Sequence, residues 1–215
     1  MKRAFASGIV LSLLVTGCAK PWTDTEKGAV IGAGAGAAVG ALASKNRTKG
    51  ALIGAVGGGI AGGLVGNYMD KQKQDLDKSL AKERDAGSIT VVKQDDHSVK
   101  VTMTGQTAFD TGSSNIKPAF NSTMDKLADI VTRYGKTSLT VVGHTDNKGT
   151  TNNNQKLSEA RAHAVGQYLR DKGVKEIRVV EIGKGEVEPR ATNDTEEGRR
   201  MNRRVEILVE PIVAN

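Results

Sequence analysis

Aromatic residues, histidine and cysteine are scarce in this sequence. Aromatic side chains make up only 3% of the 215 residues, although hydrophobic residues make up 38%. Any core must therefore be aliphatic, and a protein that stacks nucleobases on aromatic side chains is not expected. A single cysteine excludes a disulfide within this chain, and three histidines offer few metal ligands. The net charge of +7 suits an anionic surface but does not by itself indicate a nucleic-acid partner.

The one cysteine lies in a pattern typical of a secretion signal. Met1-Lys2-Arg3 is basic, residues 9–15 are an apolar run of signal-peptide length, and Leu14-Val15-Thr16-Gly17-Cys18 resembles the bacterial lipobox. The resemblance implies a signal peptide over residues 1–17, cleavage before Cys18 and lipidation of that cysteine. Several acyl chains would anchor the protein stably in a lipid bilayer. An ordinary signal peptide with an incidental cysteine is the alternative.

The residue after Cys18 bears on localisation. Ala19 stands there, and not an aspartate. In lipoproteins of Gram-negative bacteria this resembles a signal for the outer membrane, which would leave the rest of the chain in the periplasm.

Glycine is abundant, with 26 residues, and many of them follow a four-residue repeat. A polar tether over residues 18–27 is followed by two apolar arms. The repeat comprises Gly28, Gly32, Gly36 and Gly40 in the first arm, and Gly50, Gly54, Gly58, Gly62 and Gly66 in the second. Small residues at this spacing let two helices approach closely within a membrane. We therefore predict a membrane-associated glycine-zipper helical hairpin over residues 28–69.

The arrangement of this hairpin stays open. Each arm is shorter than the ~20 residues that span a bilayer. The hairpin could cross the membrane, lie in it, or pack against other copies as a homo-oligomer; a flexible soluble linker is the alternative, although its Ile, Val and Leu content is atypical of one. The segment between Gly28 and Gly66 contains no Asp or Glu, which argues against a proton-conducting stator.

The next segment, residues 70–87, is highly charged, with Leu76 and Leu80 one helical turn apart. This pattern predicts an exposed helical linker that carries the following domain away from the membrane.

The remaining residues, 88–215, predict an α+β domain. Residues 89–92 and 99–103 alternate around a polar turn, as in a β-hairpin. Further strands are expected at residues 139–142, 177–182 and 205–209. Helices are expected from Pro118 to about Val131, and from the Asn-rich loop after Gly149 to Gly173. This order predicts a mixed sheet with two helices packed on one face.

An arginine lies on the apolar face of the second helix, which Leu157, Arg161 and Val165 share. A charge there is costly unless it is paired. Asp146, in the loop after the preceding strand, is the obvious partner, and a carboxylate brought by a ligand is the alternative. From periodicity alone, an internal Asp146–Arg161 salt bridge and a ligand-binding site both remain open.

Several motifs of the domain occur together in one family. They are Phe109-Asp110 with Ile116-Lys117-Pro118, Gly143-His144-Thr145-Asp146 with Gly149, Asn154 with Leu157-Ser158 and Arg161-Ala162, Gly183-Lys184-Gly185-Glu186, and Asn202-Arg203-Arg204-Val205-Glu206. In this order, residues 100–210 resemble the OmpA-like peptidoglycan-associated domain. The resemblance implies non-covalent binding of the peptidoglycan stem peptide. An outer-membrane lipoprotein with such a domain would tether the outer membrane to the cell wall.

The resemblance also implies roles for individual residues. The diaminopimelate residue of the stem peptide carries an ammonium and a carboxylate on one carbon. By resemblance, Asp146 would bind the ammonium and Arg161 the carboxylate. Backbone groups around Asp110, Thr111 and Gly112, the Asn154 side chain and Arg204 would complete the pocket.

Other functional classes are less well supported. His144 and Asp146 could be two metal ligands, but no third is evident, so neither a metal nor another cofactor is expected. His144 is instead expected to be a hydrogen-bonded structural residue. Ser158 has no histidine at a recognisable spacing, so an enzyme is not expected.

A nucleic-acid binder and a membrane scaffold are two further classes of protein that the sequence could encode. The basic cluster Arg199, Arg200, Arg203 and Arg204 is interpreted as a solvated face with some pocket function, because export disfavours a nucleic-acid partner. The alternative to peptidoglycan binding is a membrane scaffold whose main activity is glycine-zipper assembly.

Overall fold

The computed structural model describes Leu52 and residues 56–214. The predicted signal peptide, Cys18, the tether and most of the predicted hairpin lie outside these residues. The strands are β1 (Ile60–Ala61), β2 (Ile89–Lys93), β3 (Val99–Thr104), β4 (Thr137–His144), β5 (Val179–Gly183), β6 (Arg204–Pro211) and β7 (Val213–Ala214). The α-helices are α1 (Val65–Ser79), α2 (Ala81–Asp85), α3 (Gly105–Ala108), α4 (Asn121–Arg133), α5 (Thr151–Asp171) and α6 (Glu196–Asn202).

Five of the strands form one mixed sheet with the order β2-β3-β6-β4-β5. All neighbours are antiparallel except β4 and β5, which run parallel because α5 crosses over between them. The predicted mixed α+β fold is confirmed. The strand expected from residue 177 begins at Val179, because Glu176–Arg178 form a 3-10 turn.

The core lies between the sheet and its helices. Alternate residues of β6, namely Val205, Ile207 and Val209, are fully buried, as are Met124 and Leu127 of α4. Helices α4 and α5 contact each other, and α5 also contacts β4 and β5. The two predicted helices therefore cover one face, and that packing fixes the strand ends that form the site.

Helix α1 adds a third helix beside α4. Its Met69 and Leu76, and Leu80 at its end, are fully buried in the same core. The rings of Tyr68 and Tyr134 also meet edge to face, with centroids 5.3 Å apart. The segment is helical as predicted, but the expected exposed linker over residues 70–87 is wrong. Its apolar stripe is only one residue wide and is flanked by charged residues, so the sequence pattern did not indicate that this face packs against the domain.

The described end of the second predicted zipper arm is not a continuous helix. Gly57 and Gly58 have φ values of 76° and 97°, which a right-handed helix does not contain. Strand β1 then pairs in parallel with β7, and Gly62–Leu64 form a 3-10 turn. The predicted hairpin is therefore wrong over residues 57–64, and residues 28–51 lie outside the described part. Among the described residues, no helix is long and apolar enough to cross a membrane.

Candidate functional site

A cavity of about 550 Å³ lies where β4 ends. It is bounded by α3 and the loop that follows, by the first half of α5, and by α6. The structure brings together five of the predicted site residues in its wall: Asp146, Arg161, Asn154, Thr111 and Gly112. Phe109, Lys148, Glu196 and Arg203 also line it.

The wall depends on a close approach between β4 and α5. A Cβ atom on Gly143 would clash with the backbone carbonyl of Ser158, so only glycine fits at this strand position. Thr150 caps α5, because its side chain accepts a hydrogen bond from the Asn153 N–H at 3.2 Å. The strand end that carries Asp146 and the helix that carries Arg161 are thereby held against each other.

Asp146 is buried, with 6% of the residue exposed. Its Oδ1 accepts a hydrogen bond from the Lys148 N–H at 3.0 Å, and its Oδ2 accepts one from Arg203 Nη1 at 2.6 Å. The Asn154 amide donates to the Asp146 carbonyl at 3.2 Å and also to the Glu186 carboxylate. Asn154 therefore fixes the backbone of Asp146, and the carboxylate is oriented through both oxygens.

Arg161 is also buried, with 3% exposed, but no carboxylate of the described residues pairs with it. Its Nε donates to the Ser113 carbonyl at 3.0 Å, and its guanidinium lies 5.2 Å from the centre of the Phe109 ring. Burial lowers the pKa of Arg161, and nearby Arg203 lowers it further, whereas Asp146 raises it. The internal Asp146–Arg161 salt bridge is not formed in the structure, since the ion-pair partner of Asp146 is Arg203. Arg161 is left as a buried cation that faces a cavity, which favours an anionic ligand.

Of the basic cluster Arg199, Arg200, Arg203 and Arg204, it is Arg203 that lines the cavity, beside Arg161. Arg204 is not among the lining residues; it pairs with Glu206 at 2.7 Å and donates to the carbonyls of Glu188 and Asn202. Successive side chains of an extended chain point to opposite faces. Arg203 and the buried Val205 are two positions apart, so their side chains point to the same face, whereas that of Arg204 points to the opposite face. This alternation is the sequence signal that distinguishes the two arginines.

His144 and Thr145 precede Asp146 and are buried as well. Among the residues that the structure describes, neither ring nitrogen of His144 has a hydrogen-bond partner, and neither does the Thr145 hydroxyl. The expected hydrogen-bonded structural histidine is therefore wrong. Burial, with Arg204 as the next cause, lowers the pKa of His144 from 6.5 to about 4. Over the described residues, no group of three or more potential ligands could hold a metal ion.

Comparison with known families agrees with this geometry. Residues 108–203 match the model of the OmpA family, and residues 1–70 match that of the YMGG-like Gly-zipper. The chain therefore carries an OmpA-family domain, preceded by a segment of the glycine-zipper family.

Individual relatives are consistent with this assignment. The probable lipoprotein YiaD of Escherichia coli (strain K12) is 37% identical over 145 residues, which are 67% of this chain and 64% of that protein. The peptidoglycan-binding protein ArfA of Mycobacterium tuberculosis (strain ATCC 25618 / H37Rv) is 38% identical over 105 residues, which are 49% of this chain and 32% of that protein. The chain thus spans less than two thirds of each relative.

One solved structure is similar in sequence as well as in fold. The cell wall anchor of the T6SS from Pseudomonas aeruginosa superposes with a TM-score of 0.58 at 34% identity. The match covers 63% of this chain and 96% of that one.

Proposed function

We propose that this chain is an outer-membrane lipoprotein that binds the stem peptide of peptidoglycan without a covalent bond and tethers the outer membrane to the cell wall. One observation carries the proposal: the buried Arg161, which has no carboxylate partner in the described part of the chain, shares a cavity with a buried aspartate. A diaminopimelate residue presents an ammonium and a carboxylate on one carbon. Such a ligand would satisfy both side chains at once.

Five of the six predicted peptidoglycan-binding residues then have a role that their positions support. Asp146 binds the ammonium and Arg161 the carboxylate, in a fork geometry that suits an arginine. Asn154 holds the Asp146 backbone. Thr111 and Gly112 offer backbone groups from the facing loop, in which Gly112 adopts a φ of 70°. We leave Arg204 out of this site, because it does not line the cavity.

The rest of the chain supplies the second attachment. Lipidation of Cys18 would fix one end in the bilayer, and the OmpA-family domain would hold the wall. The names of the relatives support the same assignment, since one is a probable lipoprotein, one a peptidoglycan-binding protein and one a cell wall anchor. Binding alone is sufficient for this function, so the proposal assigns no reaction to the site.

Sedimentation with purified cell-wall sacculi tests the proposal. The full-length protein, purified in detergent, should sediment with sacculi and should be released by free meso-diaminopimelate. Asp146→Asn and Arg161→Gln should each weaken retention roughly tenfold or more, because a hydrogen bond to a charged group contributes about 1.5–3 kcal/mol.

Two variants serve as matched controls for this experiment. Asp129→Asn and Arg200→Gln change the same residue types on exposed surfaces outside the cavity, and both should be retained like the wild type. Circular dichroism should show that all four variants are folded. Full retention of both site variants would refute the assignment.

A further inference from the structure

The two charged residues of the site differ in one respect. Arg161 has no carboxylate partner among the described residues, whereas Asp146 already has a cation. Arg203 Nη1 lies 2.6 Å from Asp146 Oδ2, on the carboxylate to which the proposed ligand would bring its ammonium. The carboxylate subsite thus lacks a counter-ion, and the ammonium subsite is occupied by a side chain.

Arg203 also contacts a second acid, which lies nearer to solvent. Its Nη2 donates to Glu196 Oε1 at 2.7 Å, while Glu196 Oε2 accepts from Arg199 at 2.9 Å. The Asp146 side chain is 9% exposed and that of Glu196 is 61% exposed. Arg203 therefore connects a buried acid in the cavity to an exposed acid at its rim.

We propose that Arg203 is an internal cation of the ammonium subsite, that a ligand ammonium competes with it for Asp146, and that Glu196 retains the displaced guanidinium. The inference rests on the proposed function and deepens it, because it assigns the specificity of the same site. The competing ligand class is a 2-amino carboxylate. Within this class, the carboxylate on Arg161 supplies most of the affinity, and the ammonium adds less than an unpaired Asp146 would give.

The ligand ammonium and Arg203 compete for Asp146, and do not share it, because the two cations repel each other. A ligand ammonium on Asp146 Oδ2 would place a second cation beside Arg203, around one carboxylate in a poorly solvated wall. Asp146 Oδ1, which accepts the Lys148 N–H at 3.0 Å, belongs to the same carboxylate, so an ammonium bound there would still lie close to Arg203. A shift of Arg203 toward Glu196 separates the two cations and keeps the guanidinium paired.

The Asp146–Arg203 pair also limits the cost of burying Asp146. A buried carboxylate without a counter-ion is strongly destabilising. Arg203 neutralises Asp146 within the protein, so burial of this carboxylate does not require a ligand cation. The consequence is that the ligand ammonium contributes less to the affinity.

Calorimetric titration of the full-length protein with two probes tests the inference. The probes are meso-diaminopimelate and pimelate, which has the same carbon chain and both carboxylates but no ammonium. The dissociation constant for pimelate divided by that for meso-diaminopimelate measures how much the ammonium contributes to affinity. Arg203→Gln should raise this ratio about tenfold in favour of diaminopimelate, which corresponds to ~1.4 kcal/mol.

A second variant is expected to act in the opposite direction. Glu196→Gln removes the group that retains Arg203 and should lower the ratio by roughly threefold, or ~0.7 kcal/mol. Arg203→Lys keeps the charge beside Asp146 and should stay near the wild-type ratio. Arg200→Gln, an exposed arginine on the same helix, should leave the ratio unchanged.

The outcomes separate this inference from the proposed function. An unchanged or lower ratio in Arg203→Gln, or shifts of the same sign in the Arg203 and Glu196 variants, would overturn the competition while sacculus binding stands. A wild-type protein that neither sediments with sacculi nor binds either probe would remove the proposed function, and this inference with it.

Discussion

At the scale of single residues, His144 is a polar side chain near the site whose burial is not offset by a hydrogen bond within the described residues. It ends β4, is 2% exposed and has no hydrogen-bond partner for either ring nitrogen. The charged groups that act on it are Arg204, Lys184, Glu206 and Glu188. Burial outweighs the two acids, so the imidazole is neutral in the folded protein down to about pH 4.

We expect His144 to make the folded state sensitive to mild acid. Its pKa is about 4 when folded and near 6.5 when unfolded, so between these values only the unfolded chain takes up the proton. Stability should therefore be unaffected by this group above pH 6.5 and should fall as the pH drops toward 4. The loss is of the order of 3 kcal/mol, from about 1.4 kcal/mol per pKa unit.

Urea unfolding near neutral pH and near pH 4 measures this loss. His144→Asn removes the titrating group and should lose that part of the pH dependence. His163→Asn, at a largely exposed position of α5, is the comparison variant for the loss of an imidazole elsewhere in the fold. An identical pH profile for wild type and His144→Asn would show that the buried imidazole does not titrate in this way.

At the scale of elements, apolar periodicity predicted the strands of the sheet and the helices α4 and α5. It did not predict that α1 packs into the core. Met69, Leu76 and Leu80 lie among many charged residues, and so narrow an apolar stripe resembles that of a solvated helix. It also could not supply the Asp146–Arg203 pair. Those residues are 57 positions apart, and only the pairing of β4 with β6 brings them together.

Helix α1 contains one polar residue in its buried face. Gln72 is fully buried, and within the described part of the chain neither its amide oxygen nor its amide nitrogen has a hydrogen-bond partner. Such a group costs folding free energy, because its hydrogen bonds to water are lost without replacement.

Replacement of this glutamine should stabilise the protein. Gln72→Met has a similar volume and no polar atoms to satisfy, so we expect the free energy of unfolding to rise by about 1–3 kcal/mol. Gln74→Met is the matched control, since Gln74 is exposed on the same helix, and its effect should stay within ±0.5 kcal/mol or so. Urea unfolding measures both changes. A destabilised Gln72→Met would mean that the amide contributes favourably to the packing of α1.

At the scale of the whole molecule, the segment before residue 88 and the end of the chain close the domain together. The Ile60 N–H donates to the Ile212 carbonyl at 2.7 Å, and the Ile212 N–H donates to the Lys136 carbonyl at 3.0 Å. Ile60 and Ile212 are both buried. Helix α1 is therefore part of the packed domain and not an exposed spacer before it.

A truncation series tests whether the folding unit begins before residue 88. Burial of one Leu or Met side chain contributes about 1.5–3 kcal/mol, so Met69, Leu76 and Leu80 together contribute roughly 5–9 kcal/mol as an upper estimate. A domain of this size is stable by only about 5–15 kcal/mol. A fragment of residues 56–215 should therefore unfold in one cooperative transition, whereas a fragment of residues 88–215 should be marginal or unfolded. In the full-length chain, Leu76→Ala should cost about 2–5 kcal/mol, and the exposed Lys78→Ala almost nothing. If the fragment of residues 88–215 matched the longer one in urea, helix α1 would be a passive cover and the domain would begin at β2.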